Sequence, residues 1–133
     1  MESEKLRNYI IEQAKFFLAQ AGEFYPFGAV IGSNGSVIPL GVQLEDDHPQ
    51  SQVVIEILEN AVIKKLRNKE AKLAGIGTDV FYKPVGSNER KSSIQIRILR
   101  SDGESTDCYL PYRKEGEEIV YEDALSEKGT LNF

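Results

Sequence analysis

The chain has no tryptophan, one cysteine, one histidine and one methionine in 133 residues, and each scarcity removes a class of answer. Cys108 has no partner for an internal disulfide, and with His48 alone beside it there is no Cys/His pattern for a structural zinc site. Any histidine-based catalysis would rest on His48. No apolar run approaches the roughly 20 residues of a membrane-spanning helix. Met1 is followed by Glu2, Ser3, Glu4 and Lys5, without the basic start and apolar centre of a signal peptide. The expectation is a cytoplasmic protein with no membrane partner. Lys and Arg number 16 against 21 Asp and Glu, for a net charge of -5. That balance argues against nucleic acid, because phosphate contacts need an excess of cations at the contact surface.

What is present is an ordinary globular composition, 41% hydrophobic and 28% charged. A chain of this length buries roughly two thirds of its unfolded surface without staples, so one domain over residues 1–133 is expected. Leu6, Ile10, Ala14, Phe17, Leu18 and Ala21 recur at helical spacing, with Ser3 as a cap and Gly22 as a stop. Tyr9, Ile11 and Phe16 fall outside that stripe and give the helix more apolar surface than one contact needs.

Residues 24–41, FYPFGAVIGSNGSVIPLG, carry no charge at all. Asn34-Gly35 is a strong hairpin signal. A two-residue loop there pairs Ile31 with Ile38, Ala29 with Leu40, Phe27 with Val42 and Tyr25 with Leu44 as a core face. The opposite face then pairs Val30 with Pro39, Gly28 with Gly41 and Pro26 with Gln43, smooth and nearly bare. Strands of a two-layer protein usually carry polar residues on the outer face. Either a helix covers this one, using Gly28 and Gly41 for close approach, or a partner does.

Asp47 and Gln50 are spaced as a capping box around Pro49, and a second helix is expected to run to about Leu73 through Val54, Ile57, Leu58, Ala61, Val62 and Leu66. Lys64, Lys65, Arg67, Lys69 and Lys72 then form its solvated basic end, with Lys65, Lys69 and Lys72 on one stripe. A third strand starts at Gly75 and Gly77, and a fourth alternates Ile94, Ile96 and Ile98 with Gln95 and Arg97. After Ser101, Asp102 and Gly103, register chooses a three-residue loop, which pairs Ile98 with Thr106, Ile96 with Cys108, Ile94 with Leu110 and Arg97 with Asp107 on the outer face. Residues 116–133 read as a docked helix or an extended arm.

The resulting class is α+β, a five-stranded antiparallel sheet with two main helices in the order α-β-β-α-β-β-β plus a C-terminal segment. That order resembles the roadblock and profilin-like folds. The resemblance implies sheet order 2-1-5-4-3, cover on both faces and, in the roadblock group, a dimeric scaffold or regulator; it carries over no binding residue.

Motifs for chemistry are sparse. Glu45, Asp46, Asp47 and His48 match no metal-loop spacing, Cys108 turns inward beside Ile96, and neither Gly32-Ser33-Asn34-Gly35 nor Gly75-Ile76-Gly77 completes a phosphate-binding fingerprint. The expectation is therefore a non-enzymatic protein interaction or regulatory module, self-associating as a dimer, with no cofactor, metal or catalytic residue. Its candidate surface is Tyr9, Phe16, Pro26, Gly28, Val30, Pro39 and Gly41. The alternatives are an acidic inhibitor or immunity-type protein using Glu45, Asp46, Asp47, Glu117 and Glu118 against a basic target, or a small-ligand binder or enzyme with a pocket near Tyr25, Phe27 and His48.

Overall fold

A computed structural model describes residues 2–41, 50–83, 86, 88–129, 131 and 133. The first helix, α1 (Glu2–Ala21), buries Leu6, Ile10, Ala14 and Leu18, one residue per turn of the expected stripe. Ser3, expected as the cap, lies inside the helix, whose first turn also holds Glu2 and Glu4 at the positive end of the dipole. Gly22, at φ 75, closes the helix by donating its N–H to the Leu18 carbonyl at 2.8 Å.

The remaining elements are β1 (Phe27–Gly32), β2 (Val37–Leu40), α2 (Ser51–Arg67), β3 (Ala71–Tyr82), β4 (Lys91–Arg100), β5 (Ser105–Glu115), β6 (Glu118–Tyr121) and β7 (Leu125–Lys128). They form an antiparallel sheet of seven strands, in the order β2-β1-β3-β4-β5-β6 with β7 also on β5. The fold is α+β, but the expected five strands and the 2-1-5-4-3 order do not hold. β1 pairs with β3 rather than β5, because the outer edge of β5 is taken by the C-terminal segment. Of the two forms expected for that segment it takes the extended one, paired into the sheet: β6 lies along residues 112–115 and β7 along residues 106–109.

Since β2 and β3 are each antiparallel to β1, they run parallel to each other, and α2 is the crossover between them. This places α2 on one face and α1 on the other. On the α1 side the core is Ala29, Ile31, Ile94, Ile96, Ile98, Cys108, Leu110 and Tyr112. On the α2 side Val30, Ala74, Ile76 and Leu99 meet Val54, Leu58, Val62 and Leu66. The bare face of the first hairpin is thus covered from within the chain. A Cβ at Gly28 would stand 3.4 Å from Leu58 Cδ2, which is the close approach expected there; at Gly41 nothing comes within 4 Å.

The hairpin register differs by one residue from the expected one. Gly28 faces Leu40, Ala29 faces Pro39, Val30 faces Ile38 and Ile31 faces Val37. A type I′ loop needs positive φ at both Asn34 and Gly35, and only Gly35 has it, at 83. Asn34 Oδ1 instead accepts the Ser36 N–H at 3.0 Å, and residues 33–35 form a three-residue loop closed by Gly32 N–H to the Ser36 carbonyl, 3.0 Å. The slip turns every β2 side chain over: Val37 packs on the α1 side, Leu40 on the α2 side, and Ile38 is left 47% exposed. Counting alternately from the Gly32–Ser36 bond, Val30 and Ile38 are the next bonded pair, so Pro39 points its missing N–H outward from the sheet. A proline at that position blunts the edge.

The second hairpin has the expected register, with Ile98 opposite Thr106 and Arg97 opposite Asp107, and Gly103 at φ 91. The Arg97–Asp107 pair is not an outer-face contact, however. Asp107 is buried, and Arg97 also donates to Glu59 of α2 at 2.8 Å, so the pair ties the crossover helix to the sheet. α2 stops at Arg67, short of the expected Leu73: Asn68 caps it and Lys69 turns left-handed at φ 60. Lys72 consequently lies on β3, 4.0 Å from Glu2, and shares no helical stripe with Lys65 and Lys69. At the other end Gln50 is the N-cap and makes no side-chain cap bond; Asp47 and Pro49 lie outside the described residues.

Gly75 and Gly77 explain how α1 sits so close to the sheet. A Cβ on Gly75 would collide with Ile10 Cδ1, and one on Gly77 would lie 2.8 Å from Ile10 Cγ2. Gly75→Ala is therefore expected to destabilise the fold by about 1–3 kcal/mol through overpacking, measured by urea unfolding. Wild-type stability in that variant would show that α1 has room to move off β3.

Candidate functional site

The site begins where β1 ends. Continuing the β1–β3 register past Phe27 and Gly77 would put Pro26 opposite Thr78 and Tyr25 opposite Asp79, but the pairing stops at Phe27. Even-numbered residues of β1 aim their hydrogen-bonding groups at β2, so the missing N–H of Pro26 falls on the β2 side. β3 runs on beside β4 to Tyr82, paired there with Lys91. Among the described residues, no strand pairs with residues 78–82 on the β1 side.

A cleft of about 670 Å³ opens along this edge. Phe24 and Tyr25 of the α1–β1 connection wall one side, Asp79, Val80 and Phe81 of β3 form the edge itself, and Ser51 at the start of α2 stands across from the connection. The connection is held in place by packed rings. Phe17, Phe24 and Phe27 meet pairwise at centroid distances of 5.5, 5.6 and 6.4 Å, in the tilted and edge-on geometries that aromatic pairs favour.

Asp79 is the strut of the cleft. Its carboxylate accepts the Tyr112 hydroxyl at 2.6 Å and the backbone N–H of Phe24, so one side chain links β3 to β5 and to the connection. Burial pushes its pKa above the ordinary aspartate value, against the lowering effect of those two hydrogen bonds and of Lys114. Burial likewise raises Tyr112 well above the ordinary tyrosine value, reinforced by the hydrogen bond to Asp79 and its charge, so Tyr112 remains a donor at neutral pH. Ser92 also bonds to Tyr112. Lys114 reaches toward the end of α1, its Nζ 3.0 Å from where a Gly22 Cβ would stand. The last turn of α1 has no basic residue of its own, so Lys114 brings a cation to the negative end of that helix.

The rim is aromatic and cationic. Phe81 is 69% exposed and Tyr25 50%, and the Arg90 guanidinium lies over Phe81 at 4.9 Å from the ring centre. Beyond Ser92 and Tyr112 a second recess of about 520 Å³ carries Lys91 and Arg113, which are matched by Glu122 at 2.9 Å and Glu115 at 2.7 Å. Hydrogen-bond donors, a half-buried carboxylate and exposed rings along a strand edge suit recognition of a bound chain or ligand. Among the described residues no three His, Cys, Asp or Glu side chains gather as a metal site.

The sequence-based candidates are scattered rather than assembled. Pro26, Gly28 and Val30 are buried; α2 covers Gly28 and Val30, while Pro26 lines a shallow recess beside Phe24, Tyr25 and Phe27. Pro39 and Gly41 are exposed at the β2 edge, Tyr9 is half-buried against the α1-side core, and Phe16 is 55% exposed. Cys108 is buried at 3% exposure. Glu117 and Glu118 are exposed on the β5–β6 turn, while Glu45, Asp46, Asp47 and His48 lie outside the described residues. Of the pocket expected near Tyr25, Phe27 and His48, Tyr25 lines this cleft and Phe27 packs behind it. Sequence reasoning missed Asp79, Phe81, Tyr112 and Lys114. A signal existed: Asp79 is the one carboxylate in the strand, lying between Thr78 and Val80 after the apolar and glycine run of residues 73–77.

Comparison with protein-family models, with the curated proteins and with the solved structures finds no match. No helix among the described residues is long and apolar enough to cross a membrane.

The raised pKa of Asp79 makes a pH prediction. The folded chain holds that proton more tightly than the unfolded chain, whose value is near 3.8. The contribution to stability is therefore full below that value and is lost as pH rises through the folded pKa. Asp79→Asn keeps an acceptor for Tyr112 and removes the ionisation. Relative to wild type its stability is expected to fall less, or rise more, as pH increases above about 4, with a change at pH 7 of less than about 1 kcal/mol, measured by urea unfolding at a series of pH values. An unchanged slope would show that Asp79 titrates normally.

Proposed function

We propose that this protein is a non-enzymatic interaction module of the cytoplasm that recognises a protein partner at the Asp79 cleft and self-associates along the flank of α2. The observation that carries the reading is where apolar surface remains after both sheet faces are closed. Of the seven large apolar side chains left exposed among the described residues, three (Phe16, Tyr25 and Phe81) stand around the end of α1, and three (Ile38, Val53 and Ile57) belong to α2 and the adjoining β2 edge. Large exposed patches on an otherwise closed domain mark interaction sites, and the aromatic and arginine content of the cleft rim is the composition of interface hot spots.

The orientation of α2 supports the second group as one surface. Glu59 turns to Arg97 of β4, so residues 53 and 57, on the opposite flank of the helix, face toward β2 and Ile38. A small ligand seated on Asp79, Tyr112 and Lys114 is the second reading, favoured by a cleft volume within the usual range for such sites.

Light scattering across a wide concentration range tests the self-associating part. Wild type is expected to be a dimer that persists on dilution. Ile57→Asp is expected to weaken the dimer by about 30-fold or more, the effect of losing a hot spot of ~2 kcal/mol, and Phe81→Ala to leave it intact. A monomer at every concentration would remove self-association and leave a different protein as the partner.

A further inference from the structure

Resting on the cleft as the recognition surface, we propose that its occupant is an extended peptide segment of another protein, added as a strand beside residues 78–82 of β3. The first support is the backbone. β1 leaves β3 at Phe27 and Gly77, and the five residues beyond present about 17 Å of strand edge with no strand beside it among the described residues. An incoming chain there would continue the line of β1. Strand addition of this kind draws affinity from main-chain hydrogen bonds and specificity from pockets for alternate side chains.

The second support is the groove beside that edge. The α1–β1 connection follows β3 without pairing to it, and its Phe24 N–H is committed to the Asp79 carboxylate on the α1 side. The cleft lies between that displaced connection and Ser51 on the opposite side. Alternation along β3 sends Asp79 and Phe81 to the α1 side and Val80 and Tyr82 to the other. A bound strand would therefore place every second side chain against Phe81, Phe24 and Tyr25, which selects large apolar or aromatic residues at alternate positions. Two outer edges of a second copy are poor donors of such a strand. β2 lacks an outward N–H at Pro39, and β7 is four residues long and reads Leu-Ser-Glu-Lys, both devices that discourage edge pairing.

The test is selection of a random peptide library displayed on phage against the full chain, followed by synthesis of the best binder and amide mapping by NMR. The expected peptides carry large apolar residues at alternating positions and shift Tyr25, Val80, Phe81 and Ser92. Two forms of the binder, N-methylated at alternate backbone nitrogens, give the decisive readout. One is expected to lose at least about tenfold in affinity, from the loss of hydrogen bonds to β3, while the other binds as before. Phe81→Ala, checked as folded from its amide spectrum, is expected to weaken binding as well. Equal binding by both methylated forms would overturn strand addition. A binder that maps to Ile38, Val53 and Ile57 would overturn it while leaving the interaction reading intact, and selection of no binder at all would count against both.

Discussion

The structure depends on covering β1 and β3 from both sides at once. These neighbouring strands carry apolar groups on each face, Ala29 and Ile31 toward α1 and Val30, Ala74 and Ile76 toward α2. Neither face tolerates water, so the two helices are obligatory layers. α1 achieves its contact through Gly75 and Gly77, where the absence of side chains lets Ile10 settle onto β3. α2 achieves its contact as the crossover from β2 to β3 and is held in orientation by Glu59, Arg97 and Asp107.

The cleft is a consequence of that arrangement. Both helices meet the same end of β3, α1 with its C-terminus and α2 with its N-terminus, and β3 with β4 extends beyond β1 there. The chain from α1 must return to β1 across this overhang. It does not pair with β3 on the way, and Asp79 fixes it by bonding both Phe24 and Tyr112. The raised pKa of Asp79 has the same origin. A carboxylate that spans the junction of three elements is withdrawn from water, and two hydrogen bonds offset only part of that desolvation.

Much of the fold was legible because local rules agreed with the tertiary outcome. The Leu6, Ile10, Ala14 and Leu18 stripe, the stop at Gly22 and the register of the second hairpin follow from periodicity and turn chemistry. The first hairpin shows the limit of the same rules. Asn34-Gly35 permits both a two-residue and a three-residue loop, and the choice moves every β2 side chain across the sheet. Sheet order was illegible for a related reason: it was decided by the tail, whose short strands occupy the β5 edge, and by the crossover of α2 between β2 and β3.

The sequence by itself determined the class, two amphipathic helices with antiparallel strands, and the inward placement of Cys108, since each depends on spacing within a segment. Tertiary structure alone decided which strand lies beside β1, that α2 covers Gly28 and Val30, and that Phe24, Asp79, Tyr112 and Lys114 meet at one cleft. Those four residues come from three separate stretches of chain. Only the packing of α1 and α2 on opposite faces of β3 sets the distances between them, and no local propensity encodes that.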